Sequence, residues 1–361
     1  MANELTRKPL LYKDKPVFGL DIGFSSIKVM EVDQSGEKPL ITGYGYSPYD
    51  SKCMQDGVIV DHESLAKSVY ELVSKNLVGK LTTRRIVGAV PVGRSFNRIL
   101  TLPTMSKSDM DEAIRLEAEQ YIPVPIEDLY IDYQIGEQKD EVTEVLVVAA
   151  PRVAVDSYLT LYNILGLEAA AMETSINAGT RLVMHAENTD VPTLIIDFGS
   201  KSTDLSIFDK VLRVTGTVGS GGDHMTEAIA KSLGVTTQQA HTIKTKYGID
   251  ASKKQKQVIE SVQPILDKLV IEIKKMDRFY QDRSGGGTDK KIEQVIILGG
   301  GANMPGLADY LTDKIRIATR MCNPWLNLSF GSIQPPHQLE KTLYATAAGL
   351  ALVEPKEIDN D

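Results

Sequence analysis

The chain has 361 residues, 42% of them hydrophobic and 6% aromatic, with 40 Lys and Arg against 48 Asp and Glu for a net charge of −8. At roughly 100–200 residues per domain this length supports two or three domains with full apolar cores, so neither disulfides nor a structural metal is required. The acidic balance, with no basic run and no basic patch interleaved with aromatics, argues against nucleic acid as a partner.

In chain order, the start MANELTRKPLLYKDKP lacks the apolar core of a signal peptide, and no later stretch approaches the roughly 18 apolar residues of a membrane span. Strands are predicted at 17–20 and 27–32, a helix at 63–75 and a buried strand at 86–90. The segments 93–102 and 129–135 read as strands around a helix at 109–121, which a capping pattern of Ser108 and Asp111 opens and Pro123 and Pro125 close. A strand at 145–150 and a helix at 153–165 follow, so that about 84–167 interrupts the alternation and is expected to be a small separate unit. Beyond it come a helix at 178–185, strands at 193–196 and 205–208, helices at 225–233 and 258–280, a strand at 294–298 and a helix at 307–314. In the long helix, Ile265, Leu269, Ile273, Met276 and Tyr280 recur at helical spacing and predict one buried face. SGGGT at 284–288 reads as a surface loop. Cys53 and Cys322 stand alone and fit a reducing compartment. The end, VEPKEIDND, is acidic and makes no basic amphipathic helix for anionic lipid, so any membrane association is expected through a partner. Alternating strands and helices of this kind define an α/β protein with mostly buried strands.

Three glycine-rich turns carry the chemistry. FGLDIGFSSIKVMEV at 18–32 and LIIDFGSKSTDLSIF at 194–208 share one plan. An apolar strand ends at Asp21 or Asp197, turns through Gly23 or Gly199 beside hydroxyl residues, and resumes as an alternating strand. The two copies lie about half the chain apart, which points to an internal duplication with two similar halves facing across a cleft. The glycines let backbone N–H groups and the Ser and Thr hydroxyls close on phosphate oxygens, and the two carboxylates suit a hydrated Mg²⁺. A single copy is more readily a plain hairpin. The third turn, VIILGGGANMPGL at 295–307, runs a buried strand through three glycines into a helix, open either to a flat ring and an anion or to a crowded strand-to-helix crossing. Gly219–Ala230 places glycines before another helix, either as a further loop of the site or as a structural N-terminus.

The ordered set of these motifs resembles the actin-like ATPase superfamily, with its duplicated, ribonuclease H-like fold. Within it the chain is similar to the PilM family of type IV pilus assembly. GLDIGxSSIK at 19–28, ExExYIPxP at 117–125, GGxxxTxxIA at 221–230 and GGGAxMPG at 299–306 carry the likeness. The resemblance implies a first half at 1–83 with 168–190 returning to it, an FtsA-like inserted subdomain at 84–167, a second half at 191–350 and an acidic tail at 351–361. It implies ATP and Mg²⁺ as ligands. Asp21, Gly23, Ser25, Ser26 and Lys28 would form the first phosphate hairpin, and Asp197, Gly199, Ser200, Lys201 and Thr203 the second, with Asp21 and Asp197 on the metal through water. Gly221 and Gly222 would flank the ribose or phosphates, Lys244 the adenine, and Gly299, Gly300, Gly301 and Met304 the adenosine. Glu173 matches a water-orienting position, or is a solvated or capping carboxylate. Relatives have an acid at His241 and a small residue at Phe24, where this ring narrows the mouth of the first hairpin. The implied role is a cytoplasmic adaptor recruited to the inner membrane face. It would bind the cytoplasmic tail of PilN between the inserted subdomain and the first half, around 93–102, alongside other pilus proteins and with room for self-association. Two alternatives stand beside it. An FtsA-like division filament protein would end in a membrane-binding helix, which VEPKEIDND is not. A sugar or small-acid kinase would need a lone carboxylate base and a sugar-shaped domain, neither of which is identifiable.

Overall fold

The computed structural model describes residues 15–91, 93, 95–139, 141–187, 190–250, 256–283 and 291–358. The predicted loop at 284–288 and most of the opening segment lie outside them. An antiparallel meander comes first: β1 (Phe18–Ile22), β2 (Ser26–Asp33) and β3 (Leu40–Pro48). A small hairpin of β4 (Met54–Gln55) and β5 (Val58–Ile59), helix α1 (His62–Lys75) and the short β6 (Leu77–Gly79) lead to β7 (Arg85–Val90), which runs parallel to β1. Here the chain leaves the sheet. β8 (Phe96–Pro103), α2 (Lys107–Tyr121), β9 (Leu129–Lys139) and β10 (Val142–Pro151) build a separate sheet in the order β8-β10-β9, with α2 over one face. Helix α3 (Arg152–Ile164) returns to the first sheet at β11 (Glu168–Thr174), parallel to β7, and α4 (Ser175–Glu187) follows.

The second half repeats the plan. β12 (Thr193–Phe198), β13 (Thr203–Asp209) and β14 (Val211–Val218) form a meander, and α5 (Gly222–Leu233), α6 (Thr237–Lys246) and α7 (Lys256–Arg283) cross to β15 (Gln294–Leu298), parallel to β12. Helix α8 (Leu307–Ile315) crosses to β16 (Thr319–Met321), and α9 (Ala345–Ala351) and α10 (Pro355–Ile358) close the described chain. From the meander outward, β3-β2-β1-β7-β11 matches β14-β13-β12-β15-β16 in order and direction. Helices α4 and α9, which come after the matching last strands, pack on each other.

Strand alternation explains how the halves join. Phe18, Leu20, Ile22, Ile27 and Val29 point to α1 and α3, while Leu194, Ile196, Phe198, Val295 and Ile297 point to α5, α7 and α8. The opposite faces, Met30 and Val32 on one sheet and Ile195, Ile296 and Leu298 on the other, share one core around α4 and α9. That contact is close. A Cβ at Gly19 would overlap the carbonyl oxygen of Ala347, and one at Gly349 would overlap that of Ala178. The predicted face of α7 is buried at Leu269, Ile273, Met276 and Tyr280, with Ile265 half-buried beside them.

One local expectation changes. The cap of α2 is Ser106 rather than Ser108. Its backbone is extended at φ −66°, ψ 159°, and its Oγ accepts from the Asp109 N–H at 3.2 Å. Two serines stand in register with an acid three positions on, and the earlier frame wins because Ser108 already has a place in the first helical turn. Within the expected acidic tail, Leu352 and Val353 are buried and Glu357 is ion-paired to Arg181.

Candidate functional site

Alternation in β1 and β2 puts Asp21 and Lys28 opposite each other on the face that looks across the molecule. Both are buried, and the Lys28 ammonium donates to Asp21 Oδ2 at 3.1 Å. The second hairpin has the same geometry with different charges. Asp197 pairs across the strands with Asp204, at the same offset that links Asp21 to Lys28. The second copy therefore holds an acid where the first holds a lysine. Burial, then the charges of Asp204 and Asp21, push the Asp197 carboxyl up to about 7, against the pull of Lys28. Burial pushes Asp204 up to about 6, opposed by the Thr217 hydroxyl that donates to it at 2.8 Å.

The start of α5 is stitched to the second turn. Gly222 N–H donates to the Gly199 carbonyl and Asp223 N–H to that of Ser200, each at 2.9 Å. Gly221 has no room for a side chain there, because a Cβ would lie 2.7 Å from the Ser200 carbonyl oxygen. From α6, the buried Lys244 ammonium donates to the Gly222 carbonyl at 2.7 Å, and burial lowers the pKa of both Lys244 and His241. At the third turn Gly299 is left-handed at φ 85°, which a side chain would strain, and lies directly against the Asp197 carboxylate. Thr342 Oγ1 donates to the Gly299 carbonyl at 2.9 Å and accepts from Asn303 Nδ2 at 2.8 Å.

These elements enclose a cavity of about 480 Å³ between the halves. Asp21, Gly23, Ser25, Ser26, Lys28, Asp197, Gly199, Ser200, Gly222, Lys244 and Gly299–Gly301 all line it. Five expected residues do not. Thr203 is buried in its turn, donating to the Ser220 carbonyl at 2.8 Å, and Gly221 lies behind the second turn. Lys201 rests over the Phe24 ring. Met304 is buried in the apolar core beneath the second sheet, so the adenosine contact implied for it has no side chain behind it. Glu173 does not line the cavity and is held by Arg181 through two hydrogen bonds of 2.6 and 2.9 Å, an ion pair rather than a solvated carboxylate. Asp204, Asp223, Asn303 and Thr342 line the cavity without having been singled out.

A second cavity, of about 380 Å³, lies where the face of the β8-β10-β9 sheet away from α2 meets α4 and the β13-β14 hairpin. Ile99, Gln134 and Leu146, neighbours across three strands, form one wall, and Arg181, Phe208 and Leu212 stand opposite. Glu144 and Arg213 form an ion pair across this junction.

A duplicated frame with two facing hairpin turns and a glycine turn from strand to helix is that of the actin-like ATPases. At 14% identity, MreB5 of Spiroplasma citri bound to ADP shares it with a TM-score of 0.55, over 97% of this chain and 100% of that one. A family model described as type IV pilus assembly protein PilM matches residues 19–354, and the chain belongs to that family. The structure of a PilM-PilN type IV pilus biogenesis complex contains a chain 28% identical, with a TM-score of 0.80, covering 94% of this chain and 98% of that one. The cell division protein FtsA of Bacillus subtilis is 24% identical over 350 residues, 84% of this chain and 78% of FtsA.

Proposed function

We propose that this chain is a cytoplasmic adaptor of a type IV pilus assembly machine that holds Mg·ATP between its halves and binds the cytoplasmic tail of a PilN-type inner-membrane protein. One observation carries the nucleotide reading. Three carboxylates, Asp21, Asp197 and Asp204, converge on a cavity that glycines and hydroxyls of the three turns also line, and Lys28 is the one basic side chain hydrogen-bonded to any of them among the described residues. Such a set attracts a hard divalent cation. No group of three His, Cys, Asp or Glu side chains among the described residues is close enough to hold a metal directly, which suits Mg²⁺ retained through its waters. When bound, Mg²⁺ would neutralise phosphate charge, with Asp21 and Asp197 as its anchors. The hydroxyls of Ser25, Ser26 and Ser200 would meet the phosphates, and Gly299–Gly301 would admit the adenosine.

The partner reading rests on family membership and on the second cavity. Its apolar wall on the inserted sheet, Ile99 and Leu146, faces Arg181 across a cavity of about 380 Å³. Among the described residues no helix is long and apolar enough to cross a membrane, so recruitment to the membrane falls to the partner. Calorimetry with Mg·ATP and with a peptide of the PilN tail tests both parts. Leu146→Asp is expected to abolish peptide binding and leave nucleotide affinity within about twofold. A peptide that binds the variant as well as the parent would overturn the placement.

A further inference from the structure

Three lysines surround the nucleotide cleft, and they are not equivalent. Lys28 and Lys244 are buried, with their ammonium groups engaged by Asp21 at 3.1 Å and by the Gly222 carbonyl at 2.7 Å. Lys201 is exposed, does not line the cavity, and has neither a hydrogen bond nor an ion pair with any described residue. Its contact is with a ring. The ammonium lies 5.6 Å from the centre of Phe24.

Phe24 belongs to the turn between β1 and β2, and Lys201 to the turn between β12 and β13, so this contact joins the two halves across the cleft mouth. The partners differ in mobility. Phe24 packs against the core beneath the first sheet, and the adjoining Gly23 carbonyl accepts from the Tyr49 hydroxyl at 2.6 Å. The ring is therefore fixed, and the lysine on its flexible stem is the part that moves. An exposed cation–ring contact is worth only about two- to fivefold in an equilibrium constant. A charge-assisted hydrogen bond to phosphate is worth about tenfold or more. The ammonium will leave the ring wherever a phosphate comes within reach.

We propose that Phe24 and Lys201 form a clasp that selects a nucleoside triphosphate over a diphosphate. On the reading above, the glycine turn at Gly299–Gly301 admits the adenosine and the two hairpin turns meet the phosphates, all three lining one cavity. The last phosphate of a triphosphate arrives between the turns, draws Lys201 off the ring and gains its charge. A diphosphate ends short of it and leaves the clasp shut. This rests on the nucleotide reading of the cleft.

Calorimetry on the full chain with Mg·ATP and Mg·ADP tests it, using Lys201→Met, Phe24→Leu, Phe24→Tyr and the Leu/Met double variant. Leucine keeps the apolar contact and removes the ring face, while tyrosine keeps the ring. Lys201→Met is expected to weaken ATP about tenfold and ADP less than about twofold. Phe24→Leu should tighten ATP about two- to fivefold without changing ADP, Phe24→Tyr should match the parent, and the double variant should equal Lys201→Met. Equal losses for both nucleotides, or a Phe24→Leu effect that persists in the Lys201→Met background, would overturn the clasp while leaving the cleft reading intact. A parent chain that binds neither nucleotide would overturn the cleft reading, and the clasp with it.

Discussion

Replacing Asp197 by Asn is expected to make the ligand-free protein more stable above neutral pH and a poorer binder of Mg·ATP. Burial and the neighbouring carboxylates raise this group from 3.8 to about 7 in the folded chain. The folded state therefore holds the proton more tightly than the unfolded state, and the protein loses stability as pH rises between those two values. Each pH unit in that window costs up to about 1.4 kcal/mol, for a ceiling of about 4 kcal/mol above pH 7. Solvent on the open side of the cleft offsets part of this, and we expect asparagine to recover about 2 kcal/mol at pH 8. Near pH 4 the carboxyl is neutral in the folded chain and the gain vanishes. Urea unfolding of parent and variant, with chelator and without nucleotide, at intervals from pH 4.5 to 8.5 reads the difference directly. A stability difference that is flat across the range, or an asparagine variant less stable at pH 8, would refute the reasoning. In parallel titrations Mg·ATP affinity should fall by about tenfold or more, because the charge that burdens the empty cleft is the charge a cation would answer.

Arg181→Met should cost about 3–5 kcal/mol in urea unfolding, since it strands the carboxylates of Glu173 and Glu357, and adding Glu173→Gln should restore part of the loss. Gly349→Ala drives a methyl into the Ala178 carbonyl where α4 and α9 cross and is expected to cost about 3 kcal/mol or more. Gly179→Ala, whose nearest neighbour would be a Leu298 methyl at 3.8 Å, should instead be neutral or stabilise by up to about 1 kcal/mol by calorimetric melting.

The site was legible in the sequence where its chemistry is local. Each hairpin turn brings its aspartate, glycine and hydroxyls within a few residues, and the repeat of that plan correctly announced two facing halves. Asp204 escaped notice although the signal was present, for it lies as far past Asp197 as Lys28 lies past Asp21. Glu173 could not be read. Its partner Arg181 lies two turns along α4 and also binds Glu357 of α10 at the far end of the described chain, and only the fold brings the three together. Met304 follows three glycines that line the cleft, yet the short turn after them aims its side chain into the core. The unpredicted β11 has the sequence EAAAMET, rich in good helix formers, and is a strand because β7 offers it a parallel partner. Helix α9 is short and built of Ala, Gly, Thr and Leu, with too little polar contrast to show a period.

The position of α9 bears on how the protein is made. This helix, at residues 345–351, lies against β1 and β2 at residues 18–33, with Gly19 beneath Ala347. During synthesis the first sheet emerges from the ribosome long before the helix that covers one of its faces. Met30 and Val32 are then exposed to solvent until some three hundred further residues have been translated. The amino-terminal half is thus incomplete on its own, and a nascent chain stalled or cut before residue 345 presents a bare apolar sheet to chaperones and proteases.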